Sequence, residues 1–249
     1  MSALLSLDNV TRVFGGLRAV DGASFDVAEG EVLGLIGPNG AGKTTLINVI
    51  TGVHPATSGK VVFDGRDITR MKSHQIAKLG LSRTFQIVQP FPKMTVLENV
   101  AAGALFGGQA ANIADASAAA MEELRFTGLA QVADNPALSL TLAQRKRLEF
   151  AKGLAMKPRI LMLDEVNAGL NSTEVEEALT MIRKVAERGV AIILIEHLLK
   201  VVLSVSHRIV VLHHGALIAE GAPQAVLRDP AVVEAYLGAK YAARYGGTA

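Results

Sequence analysis

The 249 residues carry 25 Lys+Arg against 23 Asp+Glu, a formal charge of +2, with half of them hydrophobic and 19% charged. That balance excludes global disorder and a dedicated nucleic-acid binder, and the length suffices for one large domain or two small ones. No cysteine occurs, which excludes disulfides, thiolate zinc sites and a cysteine nucleophile.

The first eight residues lack the basic start and apolar run of a signal peptide, and no run approaches the ~18–20 apolar residues needed to cross a bilayer. The chain is therefore expected not to span a membrane by itself. In chain order, short apolar runs predict strands at residues 4–7, 23–27, 32–36, 60–63, 81–85, 160–163, 190–195, 209–212 and 216–219, with Phe63-Asp64-Gly65-Arg66 reading as a turn. Helical periodicity covers 43–51, 96–105, 114–126, 144–155, 173–187 and 198–204, and two short helical patterns follow Pro223. The runs at 32–36, 160–163 and 190–195 are apolar throughout, as strands buried on both faces are. The early strands read as an antiparallel layer. From about Pro90 to Pro158 no strand is expected, and residues 101–120 are rich in Ala, with Gly107-Gly108 in a loop. The reading is one α/β domain over 1–249. Its mixed-sheet core spans 1–89 and 159–222, an inserted helical subdomain spans 90–158, and a helical tail spans 223–249.

Gly37-Pro38-Asn39-Gly40-Ala41-Gly42-Lys43-Thr44 fits the phosphate-loop pattern, placed between a predicted buried strand and a predicted helix. Glycines let successive backbone N–H groups turn toward phosphate, and the helix N-terminus adds partial positive charge. Lys43 places a full charge near the β- and γ-phosphates, and Thr44 offers a hydroxyl to Mg²⁺. The expectation is a nucleoside triphosphate site.

Downstream, residues 160–163 lead into Asp164-Glu165. A buried strand delivers Asp164 rigidly to a Mg²⁺ shell, and Glu165 can polarise an attacking water. Gln86 closes the run 81–85 where the helical block begins. His197 follows the run 190–195, where imidazole can hydrogen-bond a γ-phosphate.

The ordered set of phosphate loop, Arg83-Thr84-Phe85-Gln86, Leu163-Asp164-Glu165, Ala168-Gly169-Leu170-Asn171 and Ile195-Glu196-His197 resembles an ATP-binding-cassette (ABC) ATPase, a P-loop NTPase, over residues 4–238. Phe14-Gly15-Gly16-Leu17, Met94-Thr95-Val96-Leu97-Glu98-Asn99 and Glu234-Ala235-Tyr236-Leu237-Gly238 are similar to the ATPase subunits of branched-chain (hydrophobic) amino acid importers. The resemblance implies a role for each matched residue. Phe14 would stack on adenine. Asn39, Gly40, Ala41, Gly42, Lys43, Thr44 and Thr45 would cradle ATP and Mg²⁺. Gln86 would sense Mg²⁺ or the attacking water, Asp164 would hold the Mg²⁺ shell, Glu165 would be the general base, and His197 would touch the γ-phosphate. It also implies ATP sandwiched between two ATPase subunits, docking of residues from Gln86 to about Val100 on membrane permease subunits, a solute-binding protein acting indirectly, and a place on the inner face of the cell membrane.

One motif departs from the pattern. Leu140-Thr141-Leu142-Ala143-Gln144 aligns with the family signature Leu-Ser-Gly-Gly-Gln. Thr141, Ala143 and Gln144 would face the partner's ATP, with Leu142 and Ala143 in place of two glycines. Val166 and Leu198 stand where Pro and Asp are common. The reading is therefore an importer ATPase that works beside a second ATPase with an intact signature, a homodimer being the other arrangement. The alternatives are a nucleotide-gated dimerisation switch with little hydrolysis, or an importer ATPase for urea, amides or aromatic acids. A cassette of DNA repair or translation is disfavoured by the single compact cassette, and a GTPase by the absence of Asn-Lys-x-Asp. The basic, aromatic end from Lys240 to Tyr245 is expected to be a frayed, solvated terminus, contact with lipid headgroups or a partner being the other reading.

Overall fold

The computed structural model describes residues 3–84, 90–108, 110–196 and 198–237. The chain divides into two compact units, Met1–Ser73 with Ile193–Ala249, and His74–Ile192. In chain order, the first unit opens with β1 (Leu5–Phe14) and β2 (Leu17–Val27), a hairpin turning at Gly15-Gly16, followed by β3 (Val32–Ile36), α1 (Lys43–Ile50), β4 (Ser58–Phe63) and β5 (Arg66–Asp67). The segment after that carries α2 (Ser73–Lys78), β6 (Leu81–Arg83), α3 (Val96–Phe106), α4 (Ile113–Phe126), α5 (Leu142–Ala155), β7 (Ile160–Asp164) and α6 (Ser172–Glu187). The division falls within β8 (Ala191–Ile195), and the first unit resumes with α7 (Leu199–Val205), β9 (Arg208–His213), β10 (Ala216–Gly221), α8 (Pro223–Val226) and α9 (Pro230–Leu237).

In the first unit, β2, β1, β4 and β5 form an antiparallel sheet in that order. β1 alternates poorly after Leu7 because Asn9 takes a left-handed backbone (φ 49°) at a register shift, and only Leu5, Leu7 and Val10 of this strand are buried on its inner face. The polar stretch beyond Leu7 is why hydrophobic patterning ends this strand at residue 7. β3 is buried along its whole length and pairs in parallel with β9, which pairs antiparallel with β10. Arg208, at the start of β9, ties three segments together: its guanidinium pairs with Glu31 (2.8 Å) and with Glu220 and donates to the Asp26 carbonyl. Glu31 foremost, and Glu220, hold the charged form of Arg208 and raise its pKa further.

In the second unit, β6 and β7 run parallel, with Ser82 opposite Leu161. α3, α4 and α5 share an apolar core in which Ala104, Ala116, Ala120 and Ala151 are fully buried. The alanine-rich stretch is thus a packed helix pair, since small side chains let the helices approach closely. Thr95 and Glu98 form a capping box at the start of α3. Among the described residues between 90 and 158 no strand occurs. No helix of the described residues is long and apolar enough to cross a membrane. The mixed sheet, antiparallel sheet and helical insertion bear out the expected fold class. α2 and β5 are absent from the sequence reading because both are short and polar, with Ile76 the one buried residue of α2.

Candidate functional site

In the first unit, β3 carries the chain into the loop Gly37–Gly42, and α1 starts at Lys43 with Gly42 as its N-cap. Two loop glycines are required by close backbone approach. A Cβ at Gly42 (φ 106°) would stand 2.4 Å from the Ala19 carbonyl oxygen, and one at Gly37 (φ 154°) would stand 2.2 Å from that of Leu212. The loop is braced from outside as well. The Gly215 N–H, in the β9–β10 turn, donates to the Ala41 carbonyl (2.9 Å), and the Asp21 N–H donates to the Gly215 carbonyl (2.8 Å). Lys43 folds back over the loop and donates from Nζ to the Gly37 (2.6 Å) and Pro38 (3.1 Å) carbonyls. Asn39, Gly40 and Thr44 are exposed, Ala41 is buried, and Gly42 and Thr45 are half-buried. The result is a rigid turn with its ammonium and its helix N-terminus at the rim, the chemistry an oligophosphate needs.

Phe14, 38% exposed at the end of β1, has the Arg12 guanidinium 4.3 Å from its ring centroid and the His54 ring against its edge at 5.3 Å. Tyr236 of α9 packs against the cluster that includes Ile36, the residue before the loop, and burial pushes its phenol up from the ordinary 10.0.

In the second unit, β7 is buried throughout and ends on Asp164. Its carboxylate accepts from the Arg83 guanidinium at 2.7 Å, with the two side chains only 7% and 10% exposed. Thr84 continues β6 by donating its N–H to the Met162 carbonyl (2.9 Å), and its hydroxyl accepts from the Asp164 N–H (3.3 Å). Glu165 follows with a left-handed backbone (φ 49°) and is half-buried; its carbonyl accepts from the Ala168 N–H (3.2 Å) and from Lys146 Nζ (2.9 Å). Asn171 caps α6 in a capping box with Glu174.

Thr141 is the N-cap of α5, and its hydroxyl accepts from the Gln144 N–H while the Gln144 side chain accepts from the Thr141 N–H. The cap uses the Thr141 hydroxyl only as an acceptor, so its O–H remains able to donate. Leu142 is 47% exposed, and its side chain leans on Gly169, where a Cβ would come within 2.9 Å of it. The residue replacing a signature glycine thus packs on the turn after Glu165. Ala143 is half-buried. Gln86 and His197 lie outside the described residues. Arg83 and Lys146 were missed by sequence reasoning. The first has no signal beyond its place before Thr84, and the second acts on a main-chain carbonyl, which leaves no trace in sequence.

A family model described as "ABC transporter" matches residues 20–168, and one described as "Branched-chain amino acid ATP-binding cassette transporter" matches 216–242. The chain belongs to the ABC transporter ATP-binding cassettes. The cassette is 39% identical, over 94% of its length and 98% of the relative's, to the high-affinity branched-chain amino acid transport ATP-binding protein BraF of Pseudomonas aeruginosa. It is 36% identical, over 94% of its length and 98% of the relative's, to the corresponding LivG protein of Escherichia coli K12. A crystal structure of an ABC transporter cassette in its ADP conformation superposes with a TM-score of 0.87 at 34% identity, covering 96% of this cassette and all of that chain. A nucleotide-free cassette superposes at 0.86 and 33% identity, covering 94% and 99%.

No group of three or more His, Cys, Asp or Glu that could hold a metal occurs among the described residues. The oxygen donors of the motifs, the Thr44 hydroxyl and the Asp164 carboxylate, suit Mg²⁺, which keeps waters and takes substrate phosphates with one or two carboxylates.

Proposed function

We propose that this cassette binds and hydrolyses Mg-ATP as the peripheral subunit of an importer for branched-chain amino acids. It would sit on the inner face of the cell membrane against permease subunits fed by a solute-binding protein. The observation that carries the reading is the braced phosphate loop with Lys43 folded over its rim, in a chain whose relatives are named for branched-chain amino acid transport. The chain works as a single domain, with the core at 1–89 and 159–222, the helical subdomain at 90–158 and the tail beyond 223.

In this reading Phe14 stacks on adenine. Asn39 to Gly42 present backbone N–H groups to the phosphates, Lys43 exchanges its two carbonyl partners for phosphate oxygens, and Thr44 and Thr45 contribute hydroxyls. Thr44, Gln86 and Asp164 would hold Mg²⁺, which would supply charge neutralisation on the transferred phosphoryl group. Glu165 accepts the proton of the attacking water and His197 hydrogen-bonds the γ-phosphate. Thr141, Ala143 and Gln144 close on the nucleotide of a second ATPase subunit. Closure does work on the permease because ATP binds the closed pair better than the open one.

The altered signature favours a heterodimer, since Cβ atoms at 142 and 143 stand where glycines would let backbone approach a phosphate. The direct test is the solution mass of Glu165→Gln with and without ATP. An ATP-dependent homodimer shows that Thr141-Leu142-Ala143-Gln144 closes on a γ-phosphate and removes the argument for a second kind of ATPase. A monomer that binds ATP supports it, and failure to bind ATP sinks the whole reading. For the solute, cells lacking this chain should lose uptake of labelled leucine, isoleucine and valine. Loss of urea, amide or aromatic acid uptake instead would assign the solute differently.

A further inference from the structure

Glu165 is one of five described non-glycine residues with a left-handed backbone, beside Asn9, Asp64, Lys157 and His214. Asn and Asp adopt this region readily because their short side chains bond locally; a glutamate does so only where its surroundings compel it. Two donors reach its carbonyl. The turn closed by the Ala168 N–H supplies one hydrogen bond, which a free turn would also have. The second comes from outside the turn, from Lys146 Nζ at 2.9 Å in a half-buried setting. Lys146 stands on the second turn of α5, about 6–8 Å along the axis from the Thr141 cap. α5 is seated in the helical core by Leu148 and Ala151, so the ammonium is carried on a rigid element.

We propose that Lys146 is a positioning residue for Glu165, holding its main-chain carbonyl so that the carboxylate projects from a backbone conformation the turn alone would not enforce. This rests on the reading of Glu165 as general base. The consequence for regulation is that the base is tied to the same helix whose N-terminus carries the signature. A displacement of that N-terminus by the partner's nucleotide moves the donor, and with it the backbone of this chain's own base. Leu142, leaning on Gly169 in the next turn, which the Leu170 N–H closes on the Asn167 carbonyl, provides a second contact along that line. Arginine at 146 could keep the hydrogen bond; methionine keeps the length and loses it.

The experiment compares Lys146→Met, Lys146→Arg and Glu165→Gln in the assembled transporter, measuring kcat, the Kd of ATP and Tm. The expected result for K146M is a fall in kcat of about tenfold or more, equivalent to ~1.4 kcal/mol of barrier, with Kd within about twofold and Tm nearly unchanged. K146R should recover most of the loss. Wild-type kcat in K146M overturns the proposal. So does a K146M in which kcat and Tm fall while Kd rises by more than about twofold, which would make Lys146 structural support only. If K146M does not yield folded protein, K146R carries the test, and a K146R as slow as Glu165→Gln overturns the proposal too. Persistent turnover in Glu165→Gln would instead refute the general-base reading, so the two failures are separable.

Discussion

Replacing Arg83 by methionine removes a guanidinium that sits 2.7 Å from the Asp164 carboxylate with both side chains about nine-tenths buried. At an effective dielectric of about 20, opposite charges ~4 Å apart attract by roughly 4 kcal/mol. The larger effect is what remains: a carboxylate taken out of water with its cationic partner gone, a loss that typically costs about 3–5 kcal/mol. The hydrogen bond from the Asp164 N–H to the Thr84 hydroxyl holds the backbone and does nothing for the stranded charge. An expected loss of about 3 kcal/mol lowers Tm by roughly 6–12 °C in a chain of this size. The assay is thermal and denaturant unfolding of R83M, D164N and the double variant. Because D164N removes the stranded charge, R83M/D164N should lie about 1–2 kcal/mol above R83M alone. A loss below about 1 kcal/mol in R83M, or no recovery in the double variant, would refute the argument that this buried pair locks β6 to the end of β7.

Phe14→Ala should raise the Kd of ATP by roughly 5- to 150-fold, the ~1–3 kcal/mol typical of base–aromatic stacking, with kcat little changed; equal ATP affinity in equilibrium binding would remove Phe14 from the site. Leu198 is the N-cap of α7 with no side-chain cap, so Leu198→Asp should stabilise the protein by about 0.5–2 kcal/mol, read as a higher denaturation midpoint at unchanged slope. Glu123 is pushed above its ordinary 4.5 by burial, with Arg188 opposing only in part. Folding therefore favours its protonated form, a contribution complete below about 4.5 and lost as pH rises through the higher folded value. Glu123→Gln should accordingly match the wild type at pH 4 and exceed it in stability at pH 7, and a difference independent of pH would contradict that cause.

Much of this was legible in the sequence because the motifs lie where the chain is locally constrained. Residues 32–36 were placed as a buried strand, and β3 occupies those residues; Gly37 to Thr44 then had one sensible geometry between a strand and a helix. The helices expected at 96 and 173 begin within a residue of those starts, where Thr95 and Asn171 cap them. α5 begins two residues before its expected start, since Thr141 caps it. What could not be read is pairing at a distance. Arg83 and Asp164 are separated by 81 positions, and nothing in either neighbourhood announces the other. The Lys146 contact ends on a peptide carbonyl, which every residue possesses. The long hairpin of β1 and β2 escapes the sequence because register shifts interrupt its alternation, so hydrophobic patterning recovers only the start of β1 and the end of β2.

The turn at Gly215 has a bearing on how such cassettes can be cut and joined. The second family model begins at residue 216, one residue past the N–H that donates to Ala41 in the phosphate loop, while the same β10 supplies Glu220 to Arg208. The seam that comparison of sequences places there is not a seam in the folded protein. A chimera joined at 216 would import a foreign β10, and with it a foreign partner for Arg208, to pair with the native β9 and its Gly215 turn. Crossovers after Gly221, where β10 has closed against β9, would exchange only the two terminal helices.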